Sequence, residues 1–139
     1  MARSRAKALP EQVEEAMSVL ARESPVHLAA VAKELGALTV SIRVDDTPPF
    51  GMSFAGGPPW VRTIAAADVE VAMTTREVDD LLAGAVTVDD AVLADRLAVR
   101  GDAAHVLRFL DALRYWLHGA LRSPSMPRLR DTVLAETTT

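Results

Sequence analysis

The natural candidates for proton transfer near neutral pH are three histidines, His27, His105 and His118. No two of them stand at the spacing that would offer two imidazoles to one metal ion on a helical turn, and there is no H-E-x-x-H. His118 lies one turn from Arg114 and Tyr115, and His105 one turn from Asp102. Asp102, Tyr115 and His118 are therefore the polar groups to watch for acid–base chemistry, although a histidine on a helix flank is usually structural or solvent-facing. The paired carboxylates Asp45–Asp46, Asp79–Asp80 and Asp89–Asp90 are sequence neighbours, and neighbours on a helix point apart rather than converging as an acid–base pair. Ala55-Gly56-Gly57-Pro58-Pro59 is not a phosphate cradle, because two prolines remove N–H donors and no helix follows. A G-x-S-x-G elbow is absent, and with no cysteine there is no thiolate nucleophile, thiolate metal site or disulfide. No catalytic constellation, metal or cofactor is expected.

Apolar side chains carry more information. Phe54, Trp60, Phe109 and Trp116, with Met52 and Met73, are large groups in a chain whose apolar half is mostly Ala, Val and Leu. They either fill an ordinary core or line a cavity too large to fill. The stretch Arg96–Leu121 would position several of them. Leu97 and Val99 alternate with Arg96, Ala98 and Arg100 as in a half-buried strand, Gly101 breaks the pattern, and Asp102 can cap a helix. In that helix Val106, Phe109, Leu110, Leu113, Trp116, Leu117, Ala120 and Leu121 recur on one broad face. His105, Arg108, Asp111, Arg114, His118 and Arg122 take the other side.

Upstream, Leu9–Arg22 reads as a helix with Pro10 in its first turn, and Ser24-Pro25 opens a second that Gly36 stops. The period then changes to two. Leu38, Val40, Ile42 and Val44 make a first strand, and Phe50, Met52 and Phe54 a second. Trp60–Ile64 and Val69, Val71 and Met73 make a third and fourth. The short turns predict an antiparallel meander, with the fifth strand at Leu97 returning beside an earlier one. Gly51 and Ser53 leave one side of the second strand almost bare, which marks tight packing or the close approach of another group. Thr74 and Glu77 form a capping box for a helix that carries Val78, Leu81 and Leu82 and ends at Gly84. Thr87 opens another short turn, and Leu129, Val133 and Leu134 suggest a last helix.

At 139 residues the chain is read as one domain: a flexible 1–8, a helical pair over 9–36, sheet and covering helices over 37–136, and a frayed 137–139. The net charge of −4 argues against nucleic acid as a partner, which needs a basic face. No run of about 18 apolar residues predicts stable membrane insertion, and the polar, basic Met1–Lys7 predicts no secretory signal. A cytoplasmic protein is expected.

The runs Ala67–Thr74 (Asp68-Val69-Glu70-Val71 at its heart), Val78–Gly84 (Leu81-x-x-Gly84) and Leu97–Asp102 (ending Gly101-Asp102) resemble the sterol carrier protein type-two, or SCP2-like, lipid-binding domains. The resemblance covers about Leu35–Leu134 and fits the two N-terminal helices less well. It implies an α+β fold, a five-stranded mixed and largely antiparallel sheet covered on one face by helices. It also implies an apolar tunnel between those layers for a fatty acyl chain, sterol or polyisoprenoid, bound or transferred without chemistry. On this reading Met52, Phe54, Trp60, Leu82, Phe109, Leu113, Trp116 and Leu117 line the cavity, and Val78 and Leu81 help to close it. The alternative is a cofactor-independent isomerase or cyclase acting on an apolar biosynthetic intermediate in the same cavity, as in some bacterial relatives of such domains. It requires at least one of Asp102, Tyr115 and His118 to face the cavity. A third reading is an interaction module that dimerises or docks a partner through its first and last helices.

Overall fold

The structure is a computed structural model that describes residues 9–55, 60–62, 64 and 66–127. Two helices, α1 (Leu9–Glu23) and α2 (Pro25–Leu35), precede three strands, β1 (Val40–Val44), β2 (Phe50–Ser53) and β3 (Trp60–Arg62). Strand β4 (Val69–Met73), helices α3 (Thr75–Leu82) and α4 (Val88–Leu93), strand β5 (Leu97–Gly101) and helix α5 (Ala103–Arg122) follow. The helix expected around Leu129–Leu134 lies outside the described residues. Among those described, no helix is long and apolar enough to cross a membrane.

The sheet order is β3-β2-β1-β4-β5. Only β1 and β4 run parallel; the other three pairings are antiparallel. The meander thus stops at β3. The chain then crosses back over β2 and β1, and the bare side of β2 is what lets it pass. A Cβ on Gly51 would lie 2.2 Å from Ile64 Cδ1, so Ile64 occupies the space that a side chain would need. Asp68 fixes the far end of the crossing, where its carboxylate accepts from the Thr39 N–H at 2.9 Å. Strand β5 returns antiparallel beside β4, because α3 and α4 together reverse the chain.

Val40, Met52, Val69, Val71 and Leu97 line the inward face of the sheet and join Val31, Leu35, Phe109, Ala112 and Leu117 in one buried core. The outward face is polar where no element covers it, with Arg43, Glu70 and Arg100 exposed, as an antiparallel-type sheet open to water on one side requires. The N-terminal helices are integral to the domain. Met17 belongs to the same core, and Ala16, Val19 and Leu20 form a second cluster with Ala120 and Met126. The apolar face of α1 is therefore used inside the domain rather than offered to a partner.

Two details fix α5 against α2. Arg108 donates from Nε to the Glu34 carbonyl at 2.8 Å and from Nη2 to the Leu35 carbonyl at 3.0 Å, at the end of α2 where carbonyls lack helical partners; the Leu35 carbonyl also accepts the Leu38 N–H at 2.9 Å. Arg108→Met should cost about 2 kcal/mol of stability by urea unfolding, since charge-assisted bonds to buried-side carbonyls are lost. At the other end Gly119 meets α2, where an added Cβ would stand 2.7 Å from His27 Cβ. His27 is itself held by Ser24 Oγ at 2.6 Å from Nδ1, so Ser24 spends its side chain on His27 rather than on a backbone cap. Gly119→Ala should push the helices apart and destabilise by about 1–3 kcal/mol in the same assay.

Asp102 holds the N-cap position of α5 but makes no side-chain cap bond; its carboxylate lies 3.9 Å from His105 Nδ1. Asp45 does more for a helix than its place in a turn suggests. Its carboxylate accepts from the Thr75 N–H at 2.9 Å and from the Thr75 hydroxyl, tying the β1–β2 turn to the start of α3. The hydroxyl bond first, and the N–H bond after it, hold the Asp45 carboxyl below its usual pKa. Its stabilising effect is therefore complete above the unfolded-state value near 3.8 and disappears as pH falls through the lower folded-state value. Asp45→Asn should lower stability by about 0.5–1 kcal/mol at pH 6. Urea midpoints of variant and parent should converge in strong acid.

Candidate functional site

Two short helices and the second half of α5 build a mostly apolar opening. Thr74 caps α3, its hydroxyl accepting from the Glu77 N–H at 3.1 Å. The reciprocal half of the expected capping box does not form, because the Glu77 side chain turns away to Arg96, whose Nε is 2.8 Å from Oε1. Helix α3 ends in a Schellman turn. The Gly84 N–H bonds the Leu81 carbonyl and the Ala85 N–H bonds the Asp80 carbonyl, with Gly84 at φ +74°. Thr87 then caps α4, accepting from the Asp90 N–H at 3.1 Å. The turn and the two caps carry Leu81, Val86 and Val88 to face Leu117 and Leu121 of α5.

Between them lies a groove of about 290 Å³, open on one side, at the lower end of the range for small-molecule sites. Leu81, Val88 and Leu117 belong both to its wall and to the central core. A smaller recess of about 60 Å³, lined by Leu82, Ala120, Met126 and Pro127, adjoins it across Leu121. Leu121 is 52% exposed, so the broad apolar face of α5 ends at the mouth of this groove.

The rim is polar. Arg114 reaches across from α5 to Asp89 on α4 and also binds Asp111, Nη1 to Oδ1 at 2.6 Å. The hydrogen bond to Asp89 is the main reason its guanidinium is raised above the usual arginine range. His118 lines the rim with its side chain exposed, and its carbonyl accepts from Arg122 Nη1 at 3.3 Å.

The expected cavity residues are distributed differently. Met52, Phe54, Phe109 and Leu117 are buried in the core, and Leu82, Leu113 and Trp116 pack against it half-buried. The Trp116 Nε1 is enclosed without a hydrogen-bond partner among the described residues. Val61, not Trp60, takes the register position opposite Met52; Trp60 pairs with Ser53, and its side chain lies outside the described set. Of the eight, Leu117 lines the groove and Leu82 the recess, while Leu81 closes the groove from α3 and Val78 is half-buried one turn before it. Of the three polar groups, Asp102 is 85% exposed at the start of α5 and Tyr115 is exposed. Asp102 stands roughly 24 Å along the helix from His118 at 1.5 Å per residue, so the three do not meet. The remaining lining residues, Gly84, Val86, Thr87, Val88, Asp89, Arg114 and Leu121, stand outside the expected set. The Leu81-x-x-Gly84 spacing, a helix stop directly beside a buried leucine, was the one signal for them.

Comparison places this architecture among solved structures. No known protein-family profile matches the sequence, and no curated protein matches it. A conserved hypothetical protein of Thermus thermophilus, described as possibly a sterol carrier protein, superposes with a TM-score of 0.58 at 16% identity, over 89% of this chain and 96% of that one. Sterol carrier protein domain 2 of Helicoverpa armigera gives 0.57 at 12% identity over 83% and 96%. The UbiJ-SCP2 ubiquinone synthesis protein gives 0.57 at 17% over 78% and 90%. With its mixed five-stranded sheet and one helical layer, the chain has the fold of the type-two sterol carrier protein domains.

Proposed function

We propose that this protein binds a small lipid-like molecule, with the apolar part held in the groove between α3–α4 and α5. The groove itself carries the reading: an opening of about 290 Å³ whose floor is Leu81, Val88 and Leu117 and whose polar groups sit at the rim. Each methylene moved from water onto such a floor gains about 0.8 kcal/mol, so a short chain binds without specific polar contacts. The name carried by the structural neighbours, sterol carrier, supports an apolar cargo. Leu81 and Leu117 separate the groove from Met52 and Phe109 in the core, and a longer chain would enter there by displacing them, toward the interlayer space expected of a tunnel.

Holding rather than turnover is the assigned role, because Asp102 and Tyr115 stand away from the groove and His118 reaches only its rim. Transfer between membranes and a cytoplasmic location are compatible extensions. Titration with a fluorescent twelve-carbon chain tests the reading. Saturable one-to-one binding, competed by unlabelled chains, is expected; its absence would refute it.

A further inference from the structure

The rim charge selects among such ligands. Arg114 is the only guanidinium or ammonium lining the groove among the described residues, and it is already engaged by two carboxylates, Asp89 and Asp111. Asp89 itself lines the groove. The next cation along the helix, Arg122, lies outside the lining, with its guanidinium turned back onto the His118 carbonyl. A carboxylate or phosphate head group entering here would make a third anion around one guanidinium. It would share a guanidinium whose Nη1 and Nη2 already serve carboxylates, and would face both of those charges. An uncharged head meets no such opposition, and an ammonium finds a carboxylate at the rim. A polar rim beside an apolar floor does not by itself make an anion site; here the one guanidinium is shared by Asp89 on the rim and Asp111 one turn before Arg114 along α5.

Resting on the groove as the binding site, we propose that the protein accepts amphiphiles with uncharged or cationic head groups and discriminates against anionic ones, with Asp89 and Asp111 as the residues that set this choice. Both side chains are largely exposed, so removing their charge leaves the packing intact.

Dodecanol, dodecylamine and laurate share one chain and differ in head-group charge at pH 7. Their affinities should be measured on the full chain, as parent and as the Asp89→Asn/Asp111→Asn double variant, below their aggregation concentrations and at low salt. Laurate should bind the parent about tenfold more weakly than dodecylamine. In the double variant, where Arg114 is released, laurate should gain about tenfold, dodecylamine should lose a similar factor, and dodecanol should change least of the three. The same ranking and spacing in both proteins would overturn the head-group inference while leaving the groove in place. Failure of all three to bind either protein would overturn the groove reading and this inference with it.

Discussion

Replacing Arg96 by methionine is expected to lower the unfolding free energy by about 3 kcal/mol. Glu77 is only 1% exposed, and Arg96 is the one cation that reaches it among the described residues. Its carboxylate oxygens otherwise have no hydrogen-bond partner there. The guanidinium also binds Asp80, Nη2 to Oδ2 at 2.5 Å, so a single side chain at the start of β5 holds two acids of α3. Without it a charge stays buried and unpaired, which costs far more than a surface ion pair contributes. The exposed half of Arg96 keeps the effect near the lower end of the range for buried pairs. The Glu77→Met/Arg96→Met double variant should recover most of the loss, since apolar groups of similar size restore packing without charge. Urea unfolding of the two singles and the double gives the coupling directly. Additive losses would show that the pair is not the cause.

The second large effect concerns binding. Leu121→Asp places a carboxylate on the groove wall at a side chain already half exposed, so the fold should persist. A charge at this half-exposed position beside the groove stays hydrated, and the ligand chain loses part of its apolar surface. Affinity for a twelve-carbon probe should fall at least tenfold, about 1.4 kcal/mol, with unchanged far-ultraviolet circular dichroism. Val26→Asp, at an exposed position of α2 away from the groove, is the control and should bind as the parent does.

Much of this architecture was legible in the sequence because the signals are local. The period-two runs at Val40–Val44 and Val69–Met73 predict strands, and the helix stop at Gly84 follows from a residue that tolerates φ +74°. The Leu-rich stripe of α5 predicts a covering helix, and its edge at Leu121 is half exposed. Long-range pairing was less legible. Nothing in a turn tells β4 to lie parallel to β1; the crossing over Gly51 is a tertiary event, visible in sequence only as a strand side without side chains. The capping box was half right for a similar reason: Glu77 has a local partner in the Thr74 backbone and a distant one in Arg96, and the distant charge wins. Large side chains were a poor guide to the opening. Met52 and Phe109 are buried in the core between the layers, whereas the groove forms where α3 and α4 leave Leu121 of α5 half exposed.

The most direct measurement of where a chain is held is photolabelling with a dodecyl probe carrying a diazirine at its tail, followed by peptide mapping. Labels should concentrate on residues 81–88 and 114–121, be abolished by excess dodecanol and be strongly reduced in Leu121→Asp. Labels confined to the outward face of the sheet, around Arg43 and Arg100, or spread evenly over the chain, would contradict binding in the groove.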